Sequence, residues 1–96
     1  MDNNSNNKQV CDGVERLIAN GKLEEAFVTL NEAISASPDA ELYYQRGRLL
    51  WKMGQKTEAM SDYATASQLD PASPASSALE MAREIMNFYH RDLYNP

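Results

Sequence analysis

Cysteine is nearly absent from this chain of 96 residues, since Cys11 is the only one. A single thiol cannot form an intrachain disulfide, which favours a reducing compartment, where such bonds are rare. Glycine and proline number only four each, and the composition is ordinary for a soluble globular protein. We therefore expect one small domain, near the lower size limit for a self-sufficient hydrophobic core.

Long apolar runs and an excess of basic charge are also missing. No stretch approaches the roughly 18 apolar residues that span a bilayer, and the start, MDNNSNNKQ, lacks the apolar segment of a signal peptide. The nine Lys and Arg residues are outnumbered by 14 Asp and Glu, giving a net charge of -5. Since nucleic-acid binding depends on neutralising phosphates, we predict a cytoplasmic protein that binds neither nucleic acid nor membranes.

Patterns typical of catalytic or metal sites are equally scarce. Cys11 and His90, the only residues of their types, are far apart in the sequence, and neither has neighbours that resemble a metal site or a nucleophile–base pair. No glycine-rich phosphate-binding loop follows a strand. We therefore predict a protein that is not an enzyme and that needs no metal or cofactor.

What the chain does contain is an internal repeat. A shift of 33 residues superimposes residues of the same type in the same order, and periods of 20–50 residues are typical of repeat architectures. The superimposed pairs are Leu17 and Leu50, Gly21 and Gly54, Glu25 and Glu58, Ala26 and Ala59, Ala33 and Ala66, and Pro38 and Pro71.

Local signals divide the chain into helices. Gly21 and Gly54 lie where helices should end, because glycine adopts the left-handed cap conformation without a Cβ clash. Asp39 is expected to cap the third helix, and Ser73 followed by Pro74 should begin the last one. Together with apolar residues at helical spacing, these signals predict an all-α fold. The predicted helices span 8–20, 23–36, 40–53, 56–69 and 74–90, after a disordered segment over 1–7.

The stretch from Ala40 to Pro71 resembles a tetratricopeptide repeat, a helix–turn–helix unit of about 34 residues. The residues that match the family pattern are Tyr43, Gly47, Leu50, Ala59, Tyr63 and Pro71. Arg46 departs from the pattern, which prefers leucine there. The resemblance implies a single domain over 8–91 with repeat one at 7–39, repeat two at 40–72 and a capping helix at 74–90. A short tail over 92–96 would follow.

The resemblance also implies a function and a site. Tetratricopeptide repeats bind other proteins on a concave surface lined by the first helix of each pair, so we expect a peptide or helix of a partner protein to bind there. The residues placed on that surface are Tyr44, Arg48, Trp51 and Lys52, joined by Leu79 and Arg83 if the last helix is aligned on Ala82 in the place of Gly47. The opposite wall would carry Cys11, Glu15 and Ile18.

Two alternatives stay open for these residues. Trp51 is of a type enriched where partners are gripped, yet it would equally suit packing against the first or last helix. The cations between residues 42 and 57 form either a solvated helix face or a basic patch for an acidic segment. They are Arg46, Arg48, Lys52 and Lys56.

A second function, homodimerisation through the C-terminal helix, is also open. Stacks of this kind usually need about three repeats for independent stability, and this chain has two and a final helix. Met81, Phe88, Leu93 and Tyr94 are more apolar material than one contact face requires. These residues would form the dimer interface.

Overall fold

A computed structural model describes the backbone of residues 3–94 and the side chains of residues 6–88. Within that part the chain forms five helices and no strand, which confirms the predicted all-α fold. The helices are α1 (Asn3–Ala19), α2 (Leu23–Ala36), α3 (Ala40–Lys52), α4 (Lys56–Leu69) and α5 (Ala75–Tyr94).

The outer helices are longer than predicted. Helix α1 begins at Asn3, so it includes residues 3–7 of the segment expected to be disordered, and α5 runs to Tyr94, into the expected tail. Residues 1–2 and 95–96 lie outside the described residues. Within this extension Asn7 is buried, and its Nδ2 donates to Asp39 Oδ2 at 2.7 Å and to the Ser37 carbonyl at 3.3 Å.

The two predicted glycine caps are confirmed. Gly21 and Gly54 have φ angles of 77° and 85°, in the left-handed region that glycine adopts without strain. In both turns the N–H after the glycine donates at 2.8 Å to a carbonyl five residues earlier, which is the bond of a Schellman cap. The bonded pairs are Lys22 with Leu17 and Gln55 with Leu50.

The two predicted N-terminal caps are also present. The Asp39 carboxylate accepts a hydrogen bond from the Leu42 N–H at 2.9 Å. The buried Ser73 hydroxyl accepts from the Ala75 N–H at 3.1 Å, at the first residue of α5. Each oxygen satisfies a backbone donor that the first turn of a helix leaves unpaired.

The helices pack in sequence, α1 on α2, α2 on α3, α3 on α4 and α4 on α5, and α1 also contacts α3. The core has two clusters. The first contains Cys11, Val14, Ala26, Leu30, Ile34, Leu42 and Leu49, and the second contains Leu50, Ala59, Tyr63, Ala66 and Ala75. Phe27 and Tyr43 pack against both. Helix α3 supplies residues to both clusters and is therefore the central element, with surface clefts beside it.

Candidate functional site

The α1–α3 cleft lies between the first helices of the two pairs and has a volume of about 310 Å³. Leu49 is 1% exposed and Gln45 4% exposed, so the inner surface offers an apolar side chain and an amide. Glu15, Arg48 and Lys52 are exposed around it. The full lining is Glu15, Ile18, Ala19, Gln45, Arg48, Leu49 and Lys52. Glu15 and Ile18 were expected on the wall that faces Arg48 and Lys52, and all four residues line this cleft.

An acidic cavity of about 330 Å³ adjoins this cleft, and Glu15 lines both. It lies by the first turn of α3, where Asp39 and Glu41 are found, whereas Arg48 and Lys52 belong to the second half of that helix. The lining of the acidic cavity is Asn7, Lys8, Cys11, Asp12, Glu15, Asp39 and Glu41. Charge on the α1–α3 side of α3 thus changes from acidic to basic along the helix.

Cys11 is not a reactive thiol. It is 5% exposed and belongs to the first core cluster. Burial, followed by the negative charges of Glu41 and Asp39, raises the pKa of Cys11 to about 12. The thiol is therefore protonated at neutral pH, and a protonated thiol is a poor nucleophile and metal ligand.

Trp51 lies in a different place, the Trp51 cavity, a depression of about 160 Å³ against α5. Its ring is half-buried, packs against the second cluster, and has the Lys56 Nζ at 4.8 Å from its centroid. The lining is Trp51, Tyr63, Ala78, Met81, Ala82 and Ile85. The ring thus packs on the second cluster beside the depression that α5 lines, and part of it still faces solvent.

The other predicted site residues occupy two kinds of environment. Tyr44 and Leu79 are half-buried against the second cluster, and the Tyr44 ring lies 5.7 Å from the Arg48 guanidinium carbon. Arg83 is exposed. Because it is two residues from Met81, it points about 160° away from that side chain around α5. Of the six predicted residues, Arg48 and Lys52 therefore line the α1–α3 cleft and Trp51 lines the Trp51 cavity.

Similarity to known proteins decides the family. The sequence model of the tetratricopeptide repeat family matches residues 40–73 of this chain. The solution NMR structure of Bacteroides fragilis protein BF1650 is 36% identical, with 88% of each chain covered and a TM-score of 0.77. The chain belongs to the tetratricopeptide repeat family. Among curated proteins no significant match was found.

Tetratricopeptide repeats are interaction modules without catalytic activity of their own, and they generally mediate contacts between proteins. In the described part of this repeat protein, none of the helices combines the length and apolar character needed to cross a membrane. Nor are three His, Cys, Asp or Glu side chains grouped there in a way that would hold a metal ion. The side chain of His90 lies outside the described residues.

Arg46, the departure from the repeat pattern, has a structural role. Its Nε and Nη2 donate to the two carboxylate oxygens of Asp62 at 2.7 and 2.9 Å, and its Nη1 donates to Asn31 Oδ1 at 2.9 Å. The hydrogen bond to Asp62 raises the pKa of Arg46, and burial opposes that shift. The guanidinium thus ties α3 to α4 and α2. The sequence held one clue, an aspartate 16 residues later on the next helix.

The four cations of residues 42–57 therefore do not form one patch. Arg46 pairs with Asp62, and Lys56 lies over Trp51. Arg48 and Lys52 alone among the four line the α1–α3 cleft. The two are four residues apart, so they project from the same side of α3.

Proposed function

We propose that this tetratricopeptide repeat protein binds a segment of a partner protein in the α1–α3 cleft. The observation that carries the proposal is the lining of that cleft, where Arg48 and Lys52 stand beside the buried Leu49 and Gln45. Its volume of about 310 Å³ lies at the lower end of the range for ligand pockets. A few side chains of a peptide or helix would fill it.

The charges favour an acidic partner segment. Arg48 offers a planar guanidinium that can bind a carboxylate through two hydrogen bonds, and Lys52 adds a second positive charge. The Tyr44 ring, 5.7 Å from that guanidinium, supports its position through a cation–π contact. The acidic cavity at the other end favours a basic residue there, so the change of charge along α3 would fix the direction in which the segment binds.

Trp51, Leu79 and Arg83 have secondary parts in this proposal. Trp51 and Leu79 pack against the second cluster, and only an extended partner would reach them from the α1–α3 cleft. Arg83 would contact such a partner only beyond α5. Charge reversal at Arg48 and Lys52 should therefore affect binding more than truncation of any of these three side chains.

The test is affinity capture from a native extract, quantified by mass spectrometry, with three forms of the protein. We expect the Arg48→Glu/Lys52→Glu variant to lose the partner that the wild-type chain retains. The matched control is Arg16→Glu/Lys22→Glu, which makes the same charge change at exposed residues outside the cleft lining. Equal retention of every protein by both variants would refute the proposal.

Homodimerisation through α5 is a second candidate function, favoured by one observation. Met81 and Phe88 are 63% and 61% exposed, although apolar side chains of this size are usually buried. Of the predicted interface residues, Leu93 and Tyr94 have side chains outside the described residues. Light scattering across a concentration series tests this candidate, because a constant monomer mass at the highest concentration would eliminate it.

A further inference from the structure

Helix α5 carries an exposed apolar surface that lies outside the α1–α3 cleft. Met81, Ile85 and Phe88 are 63%, 38% and 61% exposed, and their spacing places them on one stripe of the helix. We call this stripe the α5 face. Met81 and Ile85 also line the Trp51 cavity, so the face continues into a depression that contains an aromatic ring. Large contiguous exposed apolar patches are typical of interaction sites.

The exposure of Ile85, 38%, differs from that of the residue at the equivalent place of α3. With Ala82 aligned on Gly47, Ile85 takes the place of Leu50 and Met81 the place of Arg46. Leu50 is 8% exposed and shares a core cluster with Ala59 and Tyr63 of α4. Within the described residues α5 packs on α4, and no helix covers Ile85 as α4 covers Leu50.

The register indicates what kind of element would fit this face. On α3, Arg46 takes the place of Met81 and bonds to Asp62 of α4. Leu50 takes the place of Ile85 and packs in the second cluster. Helix α4 follows α3 after a short turn, a connection that places two helices antiparallel. The α5 face is thus the counterpart of a surface that is built to be covered by an antiparallel helix.

We propose that the α5 face binds an amphipathic helix of another protein, packed on α5 as α4 packs on α3. Such a helix would present an apolar residue to Met81, where α4 presents Asp62 to Arg46. This proposal does not depend on binding in the α1–α3 cleft.

Charge distinguishes a partner helix from a second copy of this chain. Glu84 is exposed and lies three and four residues from Met81 and Phe88, so its carboxylate borders the α5 face. Two copies joined through this face would bring both Glu84 residues to one interface, and each copy has a net charge of -5. A helix with a basic flank would instead be attracted to that border.

The probe is a synthetic α4 peptide, residues 55–70, that carries Asp62→Leu to meet Met81 and Glu58→Lys to make one flank basic. A cross-link between positions 60 and 64, away from the packing stripe, holds it helical, because short isolated helices are marginal in water. Trp51 is the only tryptophan of the chain, and the peptide has none, so its fluorescence reports binding. We expect a saturable change in Trp51 emission.

Variants of the protein decide the outcome. Ile85→Lys and Met81→Lys, at positions already exposed, should each weaken peptide binding by about 10-fold or more, because binding would bury the added charge. The control is Val28→Lys on α2, where the native side chain is 53% exposed; this variant should bind like wild type. The proposal is overturned if Trp51 shows no saturable change, if the α5 variants bind as wild type does, or if light scattering reveals a dimer that Met81→Lys dissociates.

Discussion

The two repeats build the same helix–helix contact from different residues. In the first repeat Val14 of α1 and Leu30 of α2 are both fully buried in one cluster. The residues 33 positions later are Gly47 of α3 and Tyr63 of α4, and a Cβ on Gly47 would lie 2.7 Å from two carbons of the tyrosine ring. Two medium-sized side chains are thus replaced by none and a large one. At this pair of positions side chains fill the space between the paired helices in both repeats, from both helices in the first repeat and from α4 alone in the second.

The neighbouring position shows a second difference between the repeats. Gly13 of α1 has open space where a side chain would be, and the Thr29 hydroxyl donates to the Glu25 carbonyl of its own helix at 2.8 Å. The equivalent residues of the second repeat are Arg46 and Asp62, which form an ion pair at 2.7 Å. The first contact is therefore made at these places without charge, whereas the second depends on a buried carboxylate and its partner.

The largest effect is expected from removing one side of that ion pair. Arg46→Leu introduces the leucine typical of the repeat, but it leaves the Asp62 carboxylate, whose side chain is 8% exposed, without its cation. Breaking a buried pair costs roughly 3–5 kcal/mol, and partial exposure of Arg46 lowers this to about 2–4 kcal/mol because water screens the charge. Urea denaturation measures the loss in the free energy of unfolding.

The double variant Arg46→Leu/Asp62→Leu is the control for this prediction. Replacing both charged groups with apolar side chains of similar size is often neutral, so most of the lost stability should return. The second repeat would then resemble the first in having an uncharged contact. If Arg46→Leu alone is as stable as wild type, the ion pair does not distinguish the two repeats.

The next effect concerns the space at Gly47. Gly47→Ala places a Cβ at 2.7 Å from the Tyr63 ring carbons and at 3.2 Å from the Ala59 carbonyl oxygen. Overpacking of this kind costs about 1–3 kcal/mol, and we expect it to exceed the gain of up to about 1 kcal/mol from the higher helix propensity of alanine. Thermal denaturation should show a lower midpoint.

A rescue variant locates the cause of that loss. Gly47→Ala/Tyr63→Leu introduces the leucine of the first repeat and removes the ring that the new Cβ would meet. Gly47→Ala should cost less unfolding free energy in the Tyr63→Leu background than in the wild-type protein, because the two substitutions share one contact. Strictly additive effects on the unfolding free energy would show that the tyrosine ring is not the obstacle.

Most of the fold could be predicted from the sequence because its signals are local. Gly21 and Gly54 end helices through their own backbone conformation, and Asp39 begins one through its own side chain. The start of α1 could not be found in this way. Composition favoured disorder there, whereas Asn7 is buried and bonds to Asp39, which lies 32 residues later in the chain.

The candidate site was less predictable because it depends on how helices are placed. Helical spacing correctly puts Arg48 and Lys52 on one side of α3. It does not tell whether Trp51 shares their cleft, because that depends on where α1 and α5 pack beside α3. Arg46 was equally open to being a solvated cation, since its partner Asp62 belongs to another helix.

The smallest effect has the opposite sign and uses the same substitution in the first repeat. Gly13 lies inside α1, and a Cβ built on it meets nothing within 4 Å. Gly13→Ala should therefore raise the free energy of unfolding by about 0.5–1 kcal/mol, because alanine loses less backbone entropy than glycine in a helix. Thermal and urea denaturation of Gly13→Ala and Gly47→Ala, measured side by side, compare the effect of one added methyl group at two helical glycines. If both variants lose stability, the difference in free space between the repeats does not control the change in unfolding free energy. If Gly13→Ala gains stability and Gly47→Ala loses it, the helix–helix contact rather than helix propensity decides where glycine is needed.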